Sequence, residues 1–363
     1  MNDNKNAGIA AFVSLGNSMK LVADRLVAAK QEGFVFKNSF EKALHEAAIE
    51  SEVVNPWFTR REVARAMHAL AEMLNKNDIV SWLNNYPELT KAQENPKKVA
   101  VIMAGNIPLV GFHDFVCVLL SGHRFTGKLS SQDALLPIAI AKLLASYNYS
   151  FGERIAFTSE VPKDADAVIA TGSDNTARYF EYHFGDKPHL VRKNRNSSAV
   201  LTGKETNEDL EKLGEDVFAY YGLGCRSVSH LLLPAGFEVS RLEKAWAKYH
   251  YVVKNKKYNN NLLHKRAILA ASGEEHVDLC HFLLIEDRSL ASPVGVLNYT
   301  RYESLKEAEM FIKQLHNSLQ CLVCAKDIDT SQVPLVRPGE SQYPGLADYA
   351  DGVDTISFLG KLR

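Results

Sequence analysis

Four short stretches carry side chains whose type and placement could do chemistry. Cys225 stands in YYGLGCRSVSHLLLP, residues 220–234, after Gly222 and Gly224 and before Arg226. A thiolate is nucleophilic when it is partly exposed and near positive potential. The two glycines let the backbone bend so that the thiol and its own N–H face one way. The same cysteine would equally serve as a small buried hydrophobe at the start of a strand. Asn106, in MAGNIPLVG at residues 103–111, offers an amide donor at a strand end beside Gly105. The alternative is a turn that uses Asn for its backbone tolerance. Lys128, in TGKLSSQ at residues 126–132, can reach a phosphate or a ribose hydroxyl, or can be a surface lysine followed by a Ser131 helix cap. Gly172 and Ser173, in ATGSDNTARYF, end an apolar strand and open a helix. There a small residue leaves room for an anion, unless the stretch is an ordinary turn.

CLVC, Cys321 to Cys324, has redox-motif spacing, but its apolar middle pair and strand-like surroundings read as core. No second cysteine pair supports a zinc site, so no metal is expected.

These stretches need elements to position them. Residues 17–95 read as mostly helical, because SMKLVADRLVAAK and REVARAMHALAEML place apolar residues three and four apart. Thr59 with Glu62 three residues later marks a helix start. From about residue 96 strands alternate with helices. KKVAVIMAGN, HRFTGKLS, ERIAFTS and DADAVIAT are short strands, with IPLVGFHDFVCVLLSG and SQDALLPIAIAKLLASY as helices. That alternation implies parallel sheet, with ligand loops at the C-terminal strand ends. A second unit begins near residue 200. Its first helix is capped by Thr206, and SVSHLLLP and SLQCLVCA are strands. KYNNNLLHKRAILAAS, HFLLIEDRS and PVGVLNYTRYES read as mixed strands and turns, and the terminal DTISFLG as strand-like.

Composition excludes several classes. The chain of 363 residues has 42 Lys plus Arg against 43 Asp plus Glu, a net charge of −1. That balance gives no reason to expect a nucleic-acid or anionic-membrane partner. No apolar run approaches the ~20 residues of a spanning helix. The opening MNDNKNAGIAAFVSLGNS lacks a basic region ahead of a long apolar core, so no secretory signal is expected. Five irregularly spaced cysteines fit reduced thiols in a cytoplasmic protein.

The four stretches occur in an order that resembles the aldehyde dehydrogenase superfamily over about residues 96–363. Within it the chain looks closest to the fatty acyl-CoA reductases of the type found in bacterial bioluminescence. NIPLVG resembles the family's Asn-aromatic-Pro-Leu turn, with Ile107 in the aromatic place. TGKLSSQDALLPIAIAKLL resembles its Lys-ending strand and following helix, and ATGSDN its Thr-Gly-Ser turn. GLGCRSVSHLLLP resembles Gly-Gln-x-Cys before a Ser-Arg-Leu-Leu strand, with Leu223 for Gln and His230 for Arg. ASPVGVLNYTRYES resembles the later Gly-Pro-Val strand.

The resemblance implies an α/β fold, aldehyde dehydrogenase-like, with a Rossmann-type cofactor-binding domain and an α/β catalytic domain. It implies Cys225 as a nucleophile forming an acyl thioester, with Asn106 and the Cys225 N–H as oxyanion donors. It implies cofactor contacts at Ala104, Gly105, Lys128, Ser130, Ser131, Thr171, Gly172 and Ser173. The expected domains are 1–200 (N-terminal helices and dinucleotide binding), 201–335 (catalytic cysteine) and 336–363 (a C-terminal interdomain or oligomerisation segment). The implied partners are an acyl-CoA substrate, an acyl-donating synthetase and further copies of the chain.

Departures from the family refine the chemistry. The hydrolytic enzymes place a Glu before Leu-Gly-Gly-Lys to activate water. Here the stretch is LVRKNRNSSAVL, with Val191 near that place and no carboxylate from 190 to 201. A thioester without that base persists until a hydride or a thiol reaches it, which favours acyl-CoA reduction to an aldehyde. Where NAD-preferring members carry Glu three residues after the Lys, this chain has Ser131, which favours NADPH over NADH. No Glu precedes SPVGV, where Ser289 and Leu290 stand. Two other readings stay open: a hydrolytic aldehyde dehydrogenase with its base elsewhere, and an acyl-carrying subunit without full reductase turnover.

Overall fold

The computed structural model describes residues 3–28, 35–90, 95–171, 184–330 and 332–362. The chain divides into two units, Met1–Asn194 with Tyr343–Arg363, and Arg195–Gln342.

The first unit opens with four helices, α1 (Asp3–Val27), α2 (Ser39–Val54), α3 (Arg60–Glu72) and α4 (Lys76–Asn84). Helix α1 starts well before the sequence periodicity announces it, because Gly8 and Gly16 interrupt the apolar pattern. Gly16 is needed for packing: a Cβ there would lie 2.9 Å from Leu74 Cβ, just beyond the end of α3. Thr59 holds the N-cap position of α3 without a side-chain cap bond. Glu62 pairs with Arg65 at 3.0 Å, and without the Thr59 side-chain bond a reciprocal capping box is incomplete.

A five-stranded parallel sheet follows, built from β1 (Lys98–Ile102), β2 (Arg124–Lys128), β3 (Ile155–Thr158), β4 (Ala167–Thr171) and β5 (His189–Arg192). Its order is β3-β2-β1-β4-β5. The chain winds one way from β1 to β3 and the other way from β1 through β4 to β5. The topological switch point therefore lies between β1 and β4, where doubly wound sheets bind ligands beyond the strand ends. Helix α5 (Phe112–Leu120) joins β1 to β2, and α6 (Leu135–Tyr147) leads from β2 toward β3.

The last segment returns to this unit. DTISFLG forms a helix, Thr355–Gly360, not a strand, because the Asp354 side chain accepts the Ser357 N–H at its N-terminus. Leu346, Ile356, Leu359 and Leu362 join the core of the first unit. Thr355 Oγ1 accepts a 2.8 Å bond from Arg192, whose guanidinium grips buried Asp114 through two 2.7 Å bonds.

The second unit is a seven-stranded sheet of order β12-β11-β6-β7-β10-β9-β8. Its strands are β6 (Asn196–Val200), β7 (Val228–Pro234), β8 (Val277–Asp278), β9 (Leu283–Glu286), β10 (Val296–Tyr302), β11 (Leu319–Val323) and β12 (Leu335–Val336). All pairs are parallel except β8 with β9. Strand β6 belongs here because it lies between β7 and β11. The helix Asn207–Phe218 opens on a full capping box of Thr206 and Asp209.

KYNNNLLHKRAILAAS, read as strands and turns, lies within the helix Lys256–Ser272. It buries only Tyr258, Leu262 and Leu269, a stripe too sparse to show in the pattern, and Asn255 and left-handed Gly273 cap it. Among the described residues no helix is long and apolar enough to cross a membrane.

Candidate active site

In the first unit the candidate residues gather at the carboxyl ends of β1, β2 and β4. Ile102 and Lys128 are paired in register, and Met103 N–H donates to the Lys128 carbonyl at 3.0 Å. The segments leaving β1 and β2 therefore run side by side. Ala104 and Gly105 are half-buried and Asn106 is exposed. A Cβ on Gly105 would lie 2.8 Å from Ser130 Cβ and 2.9 Å from Gln132 Cβ, so only glycine lets the two segments touch.

The expected helix from residue 107 begins only at Phe112. Residues 106–111 form turns, and Leu109 takes a left-handed φ of 64°. That conformation costs a branched residue about 1–2 kcal/mol. It is held by Asp133, whose Oδ2 accepts the Leu109 N–H at 2.6 Å.

Lys128 is half-buried, and Ser130 Oγ accepts the Gln132 N–H at 3.2 Å. Ser131 is exposed and does not cap α6, whose N-cap is Ala134. Thr171 ends β4, paired with Arg192. Gly172 and Ser173 lie outside the described residues. Val191 packs against the apolar cluster of Ala100, Ala165 and Val168, so the place compared with a water-activating Glu holds a hydrocarbon in hydrocarbon surroundings.

In the second unit Cys225 is exposed, while Cys321 and Cys324 are buried. Burial pushes both of those thiols up, which makes them inert core residues. The approach to Cys225 is unusual. Tyr220, Tyr221 and Gly222 take left-handed φ values of 52°, 57° and 77° in succession. The two tyrosines bear a cost of about 1–2 kcal/mol each, and both are buried. Their packing holds a reversal that sets Cys225 on the following turn, closed by the Ser227 N–H to the Gly224 carbonyl at 3.0 Å.

Two further bonds fix that turn, and two more fix the segment against which Arg226 is anchored. Ser197 Oγ donates to the Cys225 carbonyl at 2.9 Å. Arg226 Nε donates to the Ser341 carbonyl at 2.7 Å. Asp216, fully buried, accepts the Gly339 and Ser341 N–H groups at 2.6 and 2.9 Å. Burial raises the Asp216 carboxyl to about 6 against those two donors.

His230 is a core residue. It stacks on Phe311 at 5.3 Å and bonds Ser198 and Thr300, and burial lowers it to about 4. Sequence reasoning missed Asp133, Asp216 and Ser197. The one visible signal was Asp133, a lone charge ahead of the apolar run ALLPIAIA. Among the described residues no group of three or more His, Cys, Asp or Glu could hold a metal ion.

The class follows from the fold. The structure is similar to aldehyde dehydrogenase 21 of Physcomitrella patens in complex with succinate, at TM-score 0.61 and 14% identity, over 99% of this chain and 88% of that one. It is similar to a mutant of the indole-3-acetaldehyde dehydrogenase AldA of P. syringae in complex with NAD+ and IAA, at TM-score 0.59 and 14% identity, over 94% and 80%. An aldehyde dehydrogenase of Mycobacterium tuberculosis complexed with NAD+ matches at TM-score 0.59 and 13% identity, over 92% and 80%. At such identities the likeness establishes the fold, a mixed α/β aldehyde dehydrogenase fold. Residues 37–245, more than half the chain, match the acyl-CoA reductase (LuxC) family, and the chain belongs to that family. No curated protein sequence matches it.

Proposed function

We propose that the protein reduces an acyl-CoA, of the fatty acyl type, to the aldehyde through a thioester on Cys225, with NADPH as reductant. The observation that carries this reading is the display of Cys225: an exposed thiol on a turn held by Ser197, Arg226 and a left-handed approach. Family membership supplies the acyl-CoA.

In the first half-reaction the Cys225 sulfur attacks the acyl carbonyl, the carbon–sulfur bond to CoA breaks, and CoA leaves as the thiol. The Cys225 N–H and the Asn106 amide are the donors assigned to the developing oxyanion. One such donor is worth about 10²–10³ in rate.

The donor set at the β1, β2 and β4 ends fits a phosphorylated dinucleotide: an ammonium at Lys128, a hydroxyl at exposed Ser131 and the carboxyl end of β4 at Thr171. The dinucleotide would supply a hydride to the thioester carbon, releasing aldehyde and restoring the thiol. Ser131 leaves room for a 2′-phosphate and can donate to it, which supports NADPH. Val191 in its apolar cluster, with no carboxylate from 190 to 201, supports reduction over hydrolysis.

The test is NADPH consumption and aldehyde release with a chain-length series of acyl-CoAs, for wild type and Cys225→Ala. The expected result is turnover in wild type, none in the variant, and an acyl adduct on Cys225 by mass spectrometry. Free acid as product, or an adduct without turnover, would reject it.

A further inference from the structure

We infer that Asp133 is a positioning residue for Asn106: its buried carboxylate fixes the turn at 106–109 and thereby sets where the Asn106 amide stands. The inference rests on the oxyanion role proposed above for Asn106.

The turn is held at two points, one on each side of Asn106. On one side Gly105 is pressed against Ser130 and Gln132, with no room for a Cβ. On the other, Leu109 is held left-handed with its N–H on Asp133 Oδ2. Both points belong to the single link between β2 and α6. That link is itself a closed turn, since the Asp133 N–H donates to the Ser130 carbonyl at 3.2 Å. Its shape is therefore imposed on the turn that carries Asn106.

The choice of a carboxylate is the second observation. Asp133 is 3% exposed, and its Oδ1 is buried without a hydrogen-bond partner among the described residues. An Asn would satisfy the same N–H without burying a charge. Stability alone therefore gives no reason for a carboxylate here. What it adds, where it is ionised, is a stronger, charge-assisted bond to one amide, here 2.6 Å long. A stiff hold three residues from Asn106 serves a donor that must be in place before charge develops.

A double-mutant cycle on CoA release in the first turnover tests this with wild type, Asp133→Ala, Asn106→Ala and the double variant. Loss of Asn106 is expected to slow acyl transfer by about 10²–10³. Loss of Asp133 is expected to slow it by at least about tenfold through kcat, with KM for acyl-CoA little changed. In the Asn106→Ala background, Asp133→Ala is expected to add almost nothing, and Asp133→Asn, which keeps an acceptor, recovers part of the loss. Additive effects would overturn the inference. Amide hydrogen exchange decides the clamp without any activity. The Leu109 N–H should exchange at least about tenfold faster in Asp133→Ala and stay protected in Asp133→Asn. An unchanged Leu109 amide rejects the inference whatever the enzyme does. A released Leu109 amide in a chain that does not consume acyl-CoA at all rejects the proposed function and leaves the clamp standing.

Discussion

Asp133 in the first unit and Asp216 in the second are both buried carboxylates that accept backbone N–H groups from a distant stretch of chain. Each lies close in sequence to candidate chemistry, Asp133 just after Lys128 and Asp216 on the helix leading to Cys225. They differ in how fully they are used. Asp216 spends one oxygen on Gly339 and the other on Ser341, while Asp133 spends one on Leu109 and leaves the other without a partner among the described residues. A satisfied carboxylate is a structural joint, and removing it strands two donors. A half-satisfied one costs stability, which fits a task at the turn it holds.

Cys225→Ala sets the upper end of the scale, with complete loss of the acyl adduct by mass spectrometry and of NADPH consumption, because the proposed thioester forms on that sulfur. Asp216→Ala should follow, costing about 2–5 kcal/mol of stability by denaturant titration, because the Gly339 and Ser341 donors lose their partner. Gly105→Ala should cost about 1–3 kcal/mol, since its Cβ has no space beside Ser130, and should weaken dinucleotide binding by calorimetry.

The isosteric pair separates the two carboxylates most sharply. Asp216→Asn turns an NH2 toward a backbone N–H and should cost about 1–3 kcal/mol. Asp133→Asn keeps its acceptor, removes a buried charge, and should be neutral or stabilising near pH 8 in thermal melts. Equal destabilisation of the two variants would break the comparison.

The smallest effect is in pH. Burial raises Asp133 to about 7 and Asp216 to about 6 from an ordinary value of 3.8. Between that ordinary value and the raised one the folded chain keeps a proton that the unfolded chain has released. Each group's contribution therefore falls as pH rises through that window and is level above it. His230 and His281, lowered to about 4 by burial, act oppositely, since stability is lost as pH drops from 6.5 toward 4. The Tm advantage of Asp133→Asn over wild type should accordingly grow from pH 5 to 7 and then hold constant. A difference independent of pH would show that Asp133 is not the group titrating.

Much of the fold was legible because it rests on local pattern. The strands KKVAVI, HRFTGK and SVSHLLLP and the Thr206 cap are set by residues a few positions apart. The elements misread depend on distant partners or on sparse signals. Helix Lys256–Ser272 buries three residues in seventeen. DTISFLG is helical through an Asp354 cap and packs on a core built from the other end of the chain. The helix expected from residue 107 is delayed to 112 by an N–H caught by a carboxylate 24 positions away.

By itself the sequence determined the kinds of chemistry available: a thiol among glycines, an amide and an ammonium at strand ends, and the family order that joins them. Only the tertiary structure decided which of these are displayed and what holds them. Exposure of Cys225, burial of Cys321 and Cys324, and the unequal use of Asp133 and Asp216 are properties of packing. Burial is a sum over neighbours that come from every part of a unit, and the cost of a charge is set by whether those neighbours leave an oxygen without a partner.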